Sequence, residues 1–288
     1  NISQSSCMKK NSDIFSFGTY TTVYMVNNIL QDSVACSVVS ATATEDNYLE
    51  NNIFFNYQGK SLILFQTQSQ SSLLEARMNR TLVVSCHVYL SMISFSVPTA
   101  STIKLHNSII TTSTLIYGFD KFGVVKPIYG IVVQMDNQGY LPVLIEFVNA
   151  ILTGNIISTY LPDDQYFSLP DDSFISLEAI GTSQVIIKGL NLTSLHCNSS
   201  SGYIVSVHAP QVTINDLFYQ SNSIRDPLSS AFSVIANTFS LSNADLTVHP
   251  FISTIRTFAS IFDVRSIISS NITNSTIRTS NIIVRSEN

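Results

Sequence analysis

Two acidic pairs are the first residues of this sequence that could do chemistry. The stretch LPDDQYFSLPDDSFIS, residues 161–176, contains Leu-Pro-Asp-Asp twice, eight residues apart. Neighbouring carboxylates can hydrolyse glycosides or bind calcium. The pairs lack the alternating Asp-x-Asp-x-Asp spacing that wraps a hard cation, whereas Pro162 and Pro170 favour turns that Asp163 and Asp171 cap. We therefore predict two solvated turns on one loop, with calcium as the less favoured alternative.

The other candidate catalytic residues stand apart from one another. Stacked chain segments could bring Asp216 and Asp245 together, but Asp216 is explained more simply as a turn residue. The five histidines lack the spacings of a zinc site, and no GxSxG or glycine-rich phosphate loop is present. We predict no catalytic residues, no metal site and no cofactor.

The composition favours β structure and limits the partners. Charged residues make up only 11% of the 288 residues, while Ser, Thr, Asn, Ile and Val are abundant, a mixture typical of strands and turns. A net charge of -5 and a pI near 5.4 provide no basic face, which argues against nucleic acid as a partner. Every apolar run is shorter than the roughly 18 residues of a spanning helix, so this segment is predicted not to span a membrane.

A sequence repeat indicates how the chain folds. YMVNNIL at 24–30 and YLENNIF at 48–54 are near copies, and the last four looser copies begin 27 residues apart. One column of the aligned copies is apolar and comprises Met25, Leu49, Leu105, Phe147, Ile187, Ile214, Leu241 and Ile268. A second apolar column lies five residues later, with Thr273 as its polar exception. Between them lies a column of turn residues, most of which tolerate positive φ: Asn27, Asn51, Asn107, Asn149, Gly189, Asp216, Asn243 and Ser270.

Alternation of apolar residues on both sides of a left-handed residue predicts two short strands that face one core. A single coil of this kind cannot bury its inner face, but coils stacked about 4.8 Å apart can. The pattern resembles right-handed parallel β-helices of the pectin-lyase-like kind, in which asparagines of a tight turn stack in a ladder. The resemblance implies an all-β right-handed parallel β-helix, or β-solenoid, with the ladder at Asn27, Asn51, Asn107, Asn149 and Asn243, interrupted at Gly189, Asp216 and Ser270.

The spacing of the repeats predicts coils of about 24–28 residues and two long loop excursions. One 56-residue gap is interpreted as two coils with an unrecognised turn between them, and gaps of 42 and 40 residues leave room for loops around YGFDKFGVVKPIY and PDDQYFSLPDDS. The second loop contains the acidic pairs. We predict a single solenoid over 1–288, clearest over 101–288 and less regular over 1–100.

Six Asn-x-Ser/Thr sequons and four cysteines suggest an extracellular or cell-surface protein. N-linked glycans are predicted at Asn1, Asn79, Asn191, Asn198, Asn271 and Asn274. Cys7 and Cys36 lie about one coil apart and are predicted to form a disulfide, whereas Cys86 and Cys197 are about four coils apart, too far to join.

The resemblance also implies carbohydrate-active enzymes as one functional class. However, the Asn-Thr-Asp, Gly-His-Gly and Arg-x-Lys motifs of pectin hydrolases are absent, and only Asp-Asp occurs. The chain ends in strand-like sequence without a cap, which suggests an excerpt of a longer protein or end-to-end stacking with copies of itself. We therefore predict a structural or adhesive module. The alternatives are a polysaccharide lyase, hydrolase or binding module, with Tyr160, Tyr166 and Phe167 against the sugar, and a receptor-like ligand-binding domain.

Overall fold

The computed structural model describes residues 13–18, 22–42, 46–66, 74–97, 101–116, 129–135, 142–158, 172–198, 202–220, 222–224, 231–248 and 262–279. Over these residues the fold is all-β and solenoid-like, and every strand pairing is parallel. The described residues include no helix of the length and apolarity needed to cross a membrane.

The strands in chain order are β1 (Phe15–Phe17), β2 (Val23–Val26), β3 (Ile29–Gln31), β4 (Val34–Thr42), β5 (Asp46–Glu50), β6 (Ile53–Phe55), β7 (Gln58–Gln66), β8 (Leu74–Asn79), β9 (Leu82–Val84), β10 (His87–Val97), β11 (Ser101–His106), β12 (Ile109–Thr111), β13 (Thr114–Ile116), β14 (Tyr129–Met135), β15 (Leu144–Val148), β16 (Ile151–Thr153), β17 (Ile156–Ser158), β18 (Asp172–Glu178), β19 (Gln184–Lys188), β20 (Asn191–Thr193), β21 (His196–Asn198), β22 (Gly202–His208), β23 (Gln211–Asn215), β24 (Phe218–Gln220), β25 (Ser223–Ile224), β26 (Phe232–Ser242), β27 (Asp245–Val248), β28 (Phe262–Thr273) and β29 (Thr276–Thr279).

Each coil consists of three strand segments joined by two left-handed corners. In the second coil, β5 is followed by the corner residue Asn51 with φ 54°, and β6 is followed by the corner residue Asn56 with φ 53°, after which β7 begins. Each segment pairs with the equivalent segment of the next coil, as β5 does with β8 and β6 with β9. From the seventh coil onward, β26 and β28 each supply the third segment of one coil and the first of the next.

The apolar columns lie in register inside the stack. Ile187, Ile214 and Leu241 pair in succession on β19, β23 and β26, and all three are fully buried. The buried apolar residues form one contiguous cluster from Val23 to Leu246. Burial of a whole aliphatic side chain stabilises by roughly 1.5–3 kcal/mol, so these columns hold the coils together.

The last repeat was aligned wrongly from the sequence. Leu241 pairs with Ile272 rather than Ile268, and the corner residue is Asn274, with φ 47°, rather than Ser270. Ser270 instead lies within β28 and pairs with Phe239. The error arises because this coil is longer than its neighbours and β28 has a bulge opposite Ala236 and Thr238, whereas the alignment assumed equal spacing.

The 56-residue gap does contain two coils. Met78 pairs with both Leu49 and Leu105, and the intervening corner is Arg80, with φ 48°. Arginine is not a residue type that signals a left-handed turn, so the sequence did not show this corner. The described strands between 22 and 97 follow the same coil pattern as those after 101.

Seven of the eight predicted corner residues have positive φ, between 48° and 65°. Their side chains, however, lie at the surface. A buried polar ladder follows the second corner, at Ser113, Asn155 and Asn222, and buried polar residues also follow two of the predicted first corners, at Asn52 and Ser108. The Asn155 side chain accepts from Ser113 N at 3.0 Å and donates to Ile110 O at 2.9 Å. It thus supplies partners to corner backbone groups of the previous coil.

The two segments predicted as excursions lie between equivalent strands, and both are outside the described residues. Residues 117–128 connect β13 to β14 and residues 159–171 connect β17 to β18, and β13 pairs with β17 while β14 pairs with β18. Most of the duplicated acidic stretch lies outside the described residues. Asp172 and Ser173, predicted to lie on the loop, belong to β18 and are buried, because they pair with Gly202 and Tyr203 of the next coil.

Candidate functional surface

Several predicted site residues lie outside the described part of the chain. They are Asn1, Cys7, Tyr160, Asp163, Asp164, Tyr166, Phe167 and Asp171. The calcium alternative and the sugar-stacking aromatics of the second loop therefore stay predictions. Among the described residues, no group of three or more His, Cys, Asp or Glu side chains could hold a metal ion.

Asp216 and Asp245 occupy different parts of successive coils. Asp216 is a corner residue with φ 56°, and its Oδ1 accepts from Asn243 Nδ2 at 3.1 Å. Asp245 begins β27 and pairs with Phe218 and Thr276. Its Oδ1 is buried and has no hydrogen-bond partner. The geometry gives Asp216 a role in the surface turn ladder.

The densest group of charged side chains lies on the outer face of the first strand segment, a feature that the sequence analysis missed. We call it the charged strip. Its central column follows the strand register through Tyr24, Tyr48, Arg77, Lys104 and Glu146. Alternation on the same strands adds further outward residues on either side, namely Asp46, Glu50, Glu75 and His106. The alternating polar residues of DNYLE, residues 46–50, and LEARMN, residues 74–79, would have indicated the charged strip.

Two pairs of ionisable side chains within the strip lie close together. Lys104 Nζ lies 3.0 Å from Glu75 Oε1, and Tyr48 donates its hydroxyl to Glu75 Oε2 at 3.2 Å. The hydrogen bond from Lys104 is the main cause that holds the pKa of Glu75 below its ordinary value. His106 Nε2 lies 3.5 Å from Glu146 Oε2. This pairing makes the strip a structured polar surface.

Two tyrosines extend the strip toward the first coil. The rings of Tyr24 and Tyr48 stack with centroids 5.0 Å apart and planes 12° apart. Tyr24 is 68% exposed, and burial is the main cause that raises the pKa of Tyr48. An exposed aromatic ring beside hydrogen-bonding groups is typical of binding surfaces.

The same outer face changes character toward the last coils. The central column continues as Ile186, Thr213, Ser240 and Asn271. The positions on either side of this part of the column are mostly amides and hydroxyls. Charge is thus concentrated on the first half of this face.

A second polar surface lies on the outer face of the third strand segment. A shallow groove there has a floor of Ser176, Ser206 and Ser233, which lie in register on successive coils. Glu178 and His208 are in register beside them, and Arg265 pairs with Asp263 at 3.3 Å. Neither His208 nor Glu178 makes a hydrogen bond to Ser206, so these residues do not form a catalytic triad in this structure.

The described cysteines are buried. Cys86 and Cys197 are not disulfide-bonded, and burial is the main cause that raises the pKa of the Cys86 thiol. Cys36 lies buried on β4, and because Cys7 lies outside the described residues the Cys7–Cys36 disulfide stays a prediction.

The five described sequon asparagines differ in accessibility. Asn271 and Asn274 are exposed on the last coil, and Asn191 is half-buried on β20. Asn79, at the end of β8, is only 8% exposed. Asn198 ends β21.

Comparison of the chain with protein-family models, curated proteins and solved structures gave no match. The candidate surfaces therefore rest on the geometry alone.

Proposed function

We propose that the chain is a structural or adhesive extracellular module. In this proposal the solenoid-like fold is a glycosylated right-handed parallel β-helix at the cell surface or in a secreted protein. It continues along its axis into neighbouring parts of a longer chain, or stacks end to end with copies of itself.

The observation that supports the proposal is a core position left open at the last described coil. Ile272 occupies the same column as Leu241, yet it is 52% exposed while Leu241 is fully buried. Ile268, on the same strand, is 72% exposed. A further coil against β28 would cover these side chains and pair the backbone of that strand. A stack that offers this face is suited to axial assembly.

The polar surfaces are consistent with a structural role. Lys104 pairs with Glu75, and Arg265 pairs with Asp263. A surface whose few charges of both signs pair with one another suits a rod whose contacts with partners are spread along its length.

Axial assembly can be tested with one substitution and a matched control. Ile272→Asp places a charge on the open face, and Ile235→Asp places the same charge on an exposed isoleucine of the outer face. Negative-stain imaging and sedimentation at two concentrations should show concentration-dependent end-to-end particles for the wild type and Ile235→Asp. Ile272→Asp should remain single rods. Equal assembly of all three would contradict the proposal, as would monomers throughout.

Carbohydrate binding or cleavage is the second candidate, and the exposed Tyr24–Tyr48 stack favours it. A sugar ring could lie against the free face of Tyr24 while the charged strip supplies hydrogen bonds. Binding to acidic and neutral polysaccharides that is lost in Tyr24→Ala would support a binding module. Release of reducing sugars that is abolished in Asp245→Asn would support an enzyme.

A further inference from the structure

The six sequons are not equivalent once the chain is folded. A glycan is joined to the side-chain nitrogen of asparagine, so the folded protein must leave space beside that atom. The described sequons include one whose asparagine is buried and two whose asparagines are exposed on the same coil.

Asn79 is held on both sides by its neighbours. Its Nδ2 donates to Glu50 Oε1 at 3.3 Å, and its Oδ1 accepts from Asn107 Nδ2 at 3.2 Å. The hydroxyl residue of this sequon, Thr81, is 1% exposed, and its backbone N–H donates to Ser108 Oγ at 3.2 Å. A sugar on Asn79 would have to displace the side chains that join three successive coils.

Asn271 and Asn274 have the opposite environment. Asn271 lies on the outer face of β28, where it continues the column of Thr213 and Ser240, and Asn274 is the corner residue before β29. Both asparagines are exposed, and so are the hydroxyl residues of their sequons, Thr273 and Thr276. A glycan at either position can extend into solvent without changing the strand register.

We propose that N-glycosylation is directed to Asn271 and Asn274 and excluded from Asn79 in the folded protein. This inference rests on the proposed extracellular function, because the modification requires the secretory pathway. Asn79 is then a structural residue of the coil junction whose sequon is incidental. The sugar would lie at the edge of the coil that bears the open core position Ile272.

Sequons are modified on the nascent chain, so burial in the folded protein cannot block the modification directly. Burial instead determines which modified chains can fold. A chain that received a glycan at Asn79 could not place that side chain between Glu50 and Asn107, and would be depleted from the folded fraction. A chain modified at Asn271 or Asn274 would fold normally. The folded fraction should therefore carry the glycan at one or both of the exposed positions.

The test is glycopeptide mapping after expression in a eukaryotic host with a host signal sequence. The mapped material is the protease-resistant protein from both the microsomes and the medium, so the result does not depend on export. We expect one or both of Asn271 and Asn274 modified and Asn79 unmodified. The matched variants Thr81→Val, Thr273→Val and Thr276→Val each remove one sequon. Each of the last two that removes an occupied sequon should lower the intact mass by the glycan lost, and at least one of them should do so, whereas Thr81→Val should change the mass by the substitution alone.

Quantitative glycan at Asn79 in the folded fraction would overturn the inference. So would folded protein in which Asn271 and Asn274 are both bare. The outcome is separable from axial assembly, since imaging of the same sample can find rods without this glycan pattern, or this pattern without rods.

Discussion

The first and last described coils present the same core column in two different states. Met25 in the first coil is 5% exposed and Val23 is 1% exposed, whereas Ile272 in the last coil is 52% exposed. Met25 and Ile272 occupy the same column of the first strand segment, and Val23 lies two residues before Met25 on the inner side of β2. A core position in a stacked fold therefore becomes a core only when a neighbouring coil covers it. Within the described residues, the first and last coils therefore differ at this column, and the exposed position is on β28.

The largest expected effect comes from placing the same charge at a buried and at an exposed position of this column and comparing the losses in the free energy of unfolding. Ile214→Asp places a carboxylate at a fully buried position between Ile187 and Leu241, where no counter-charge is in register. We expect a loss of about 4 kcal/mol or more in the free energy of unfolding, or failure to fold. Ile272→Asp should cost less than about 1 kcal/mol, because its carboxylate can remain hydrated.

Chemical denaturation of the two variants beside the wild type measures the difference. Equal losses would mean that the last coil is covered like the others. An unchanged midpoint for Ile214→Asp would refute the buried column itself.

Residues that recur with one chemistry could be predicted from the sequence. The column of Leu49, Leu105 and Phe147 was visible because apolar side chains recur there, and the corners at Asn51 and Asn107 were visible because asparagine tolerates positive φ. The same logic failed at the second corner. Its residues share a backbone conformation, but no one residue type repeats from coil to coil as asparagine does at the first corner: they are Asp32, Asn56, Ser85, Thr112, Gly154 and Ser194.

The predicted corner asparagines do form a ladder at the surface, where Asn149 donates to Asn107 at 3.1 Å. The sequence analysis missed a second, buried set of polar residues one position after some corners. That position is polar in some coils, where the side chain bonds the corner backbone, and apolar in others, as at Ala150 and Leu190, so no single residue type marks it: the polar examples are Asn52, Ser108 and Ser275. The charged strip was missed because its residues come together only when the order of neighbouring strands is known. The unrecognised corner at Arg80 hid β8, which lies between β5 and β11.

Inner and outer asparagines of one coil provide the second test. Asn155→Ala removes the partners of Ser113 N and Ile110 O in a buried corner, so we expect a loss of about 2–3 kcal/mol in unfolding free energy. Asn149→Gly keeps the left-handed corner and loses only the exposed bond to Asn107 at 3.1 Å. It should cost less than about 1 kcal/mol, as Gly189 already serves in the next coil.

Urea denaturation of both variants at one pH distinguishes the two ladders. If Asn149→Gly proves the more damaging, then the surface ladder stabilises the coils and the buried ladder does not.

The smallest expected effect is the contribution to stability of the Lys104–Glu75 pair of the charged strip, which is compared with that of the Arg265–Asp263 pair on β28. The pKa of Glu75 is lowered mainly by the hydrogen bond from Lys104, so its carboxylate stabilises the fold above the pKa of the unfolded chain. That contribution disappears as the pH falls through the lower pKa of the folded state. Since the Glu75 side chain is 34% exposed and screened by solvent, we expect only about 0.5 kcal/mol.

Glu75→Gln removes this dependence on pH, so the unfolding midpoint of the variant should fall less than that of the wild type between neutral and acid pH. Asp263→Asn is the control on the last coil, because its partner Arg265 has a 71% exposed side chain and the pair should add nothing measurable. Thermal unfolding at low and high salt supplies the measurement. The difference between wild type and Glu75→Gln should shrink in high salt, because screening weakens the Lys104–Glu75 attraction. A difference that persists unchanged in high salt would assign the effect to packing of the Glu75 side chain against Tyr48.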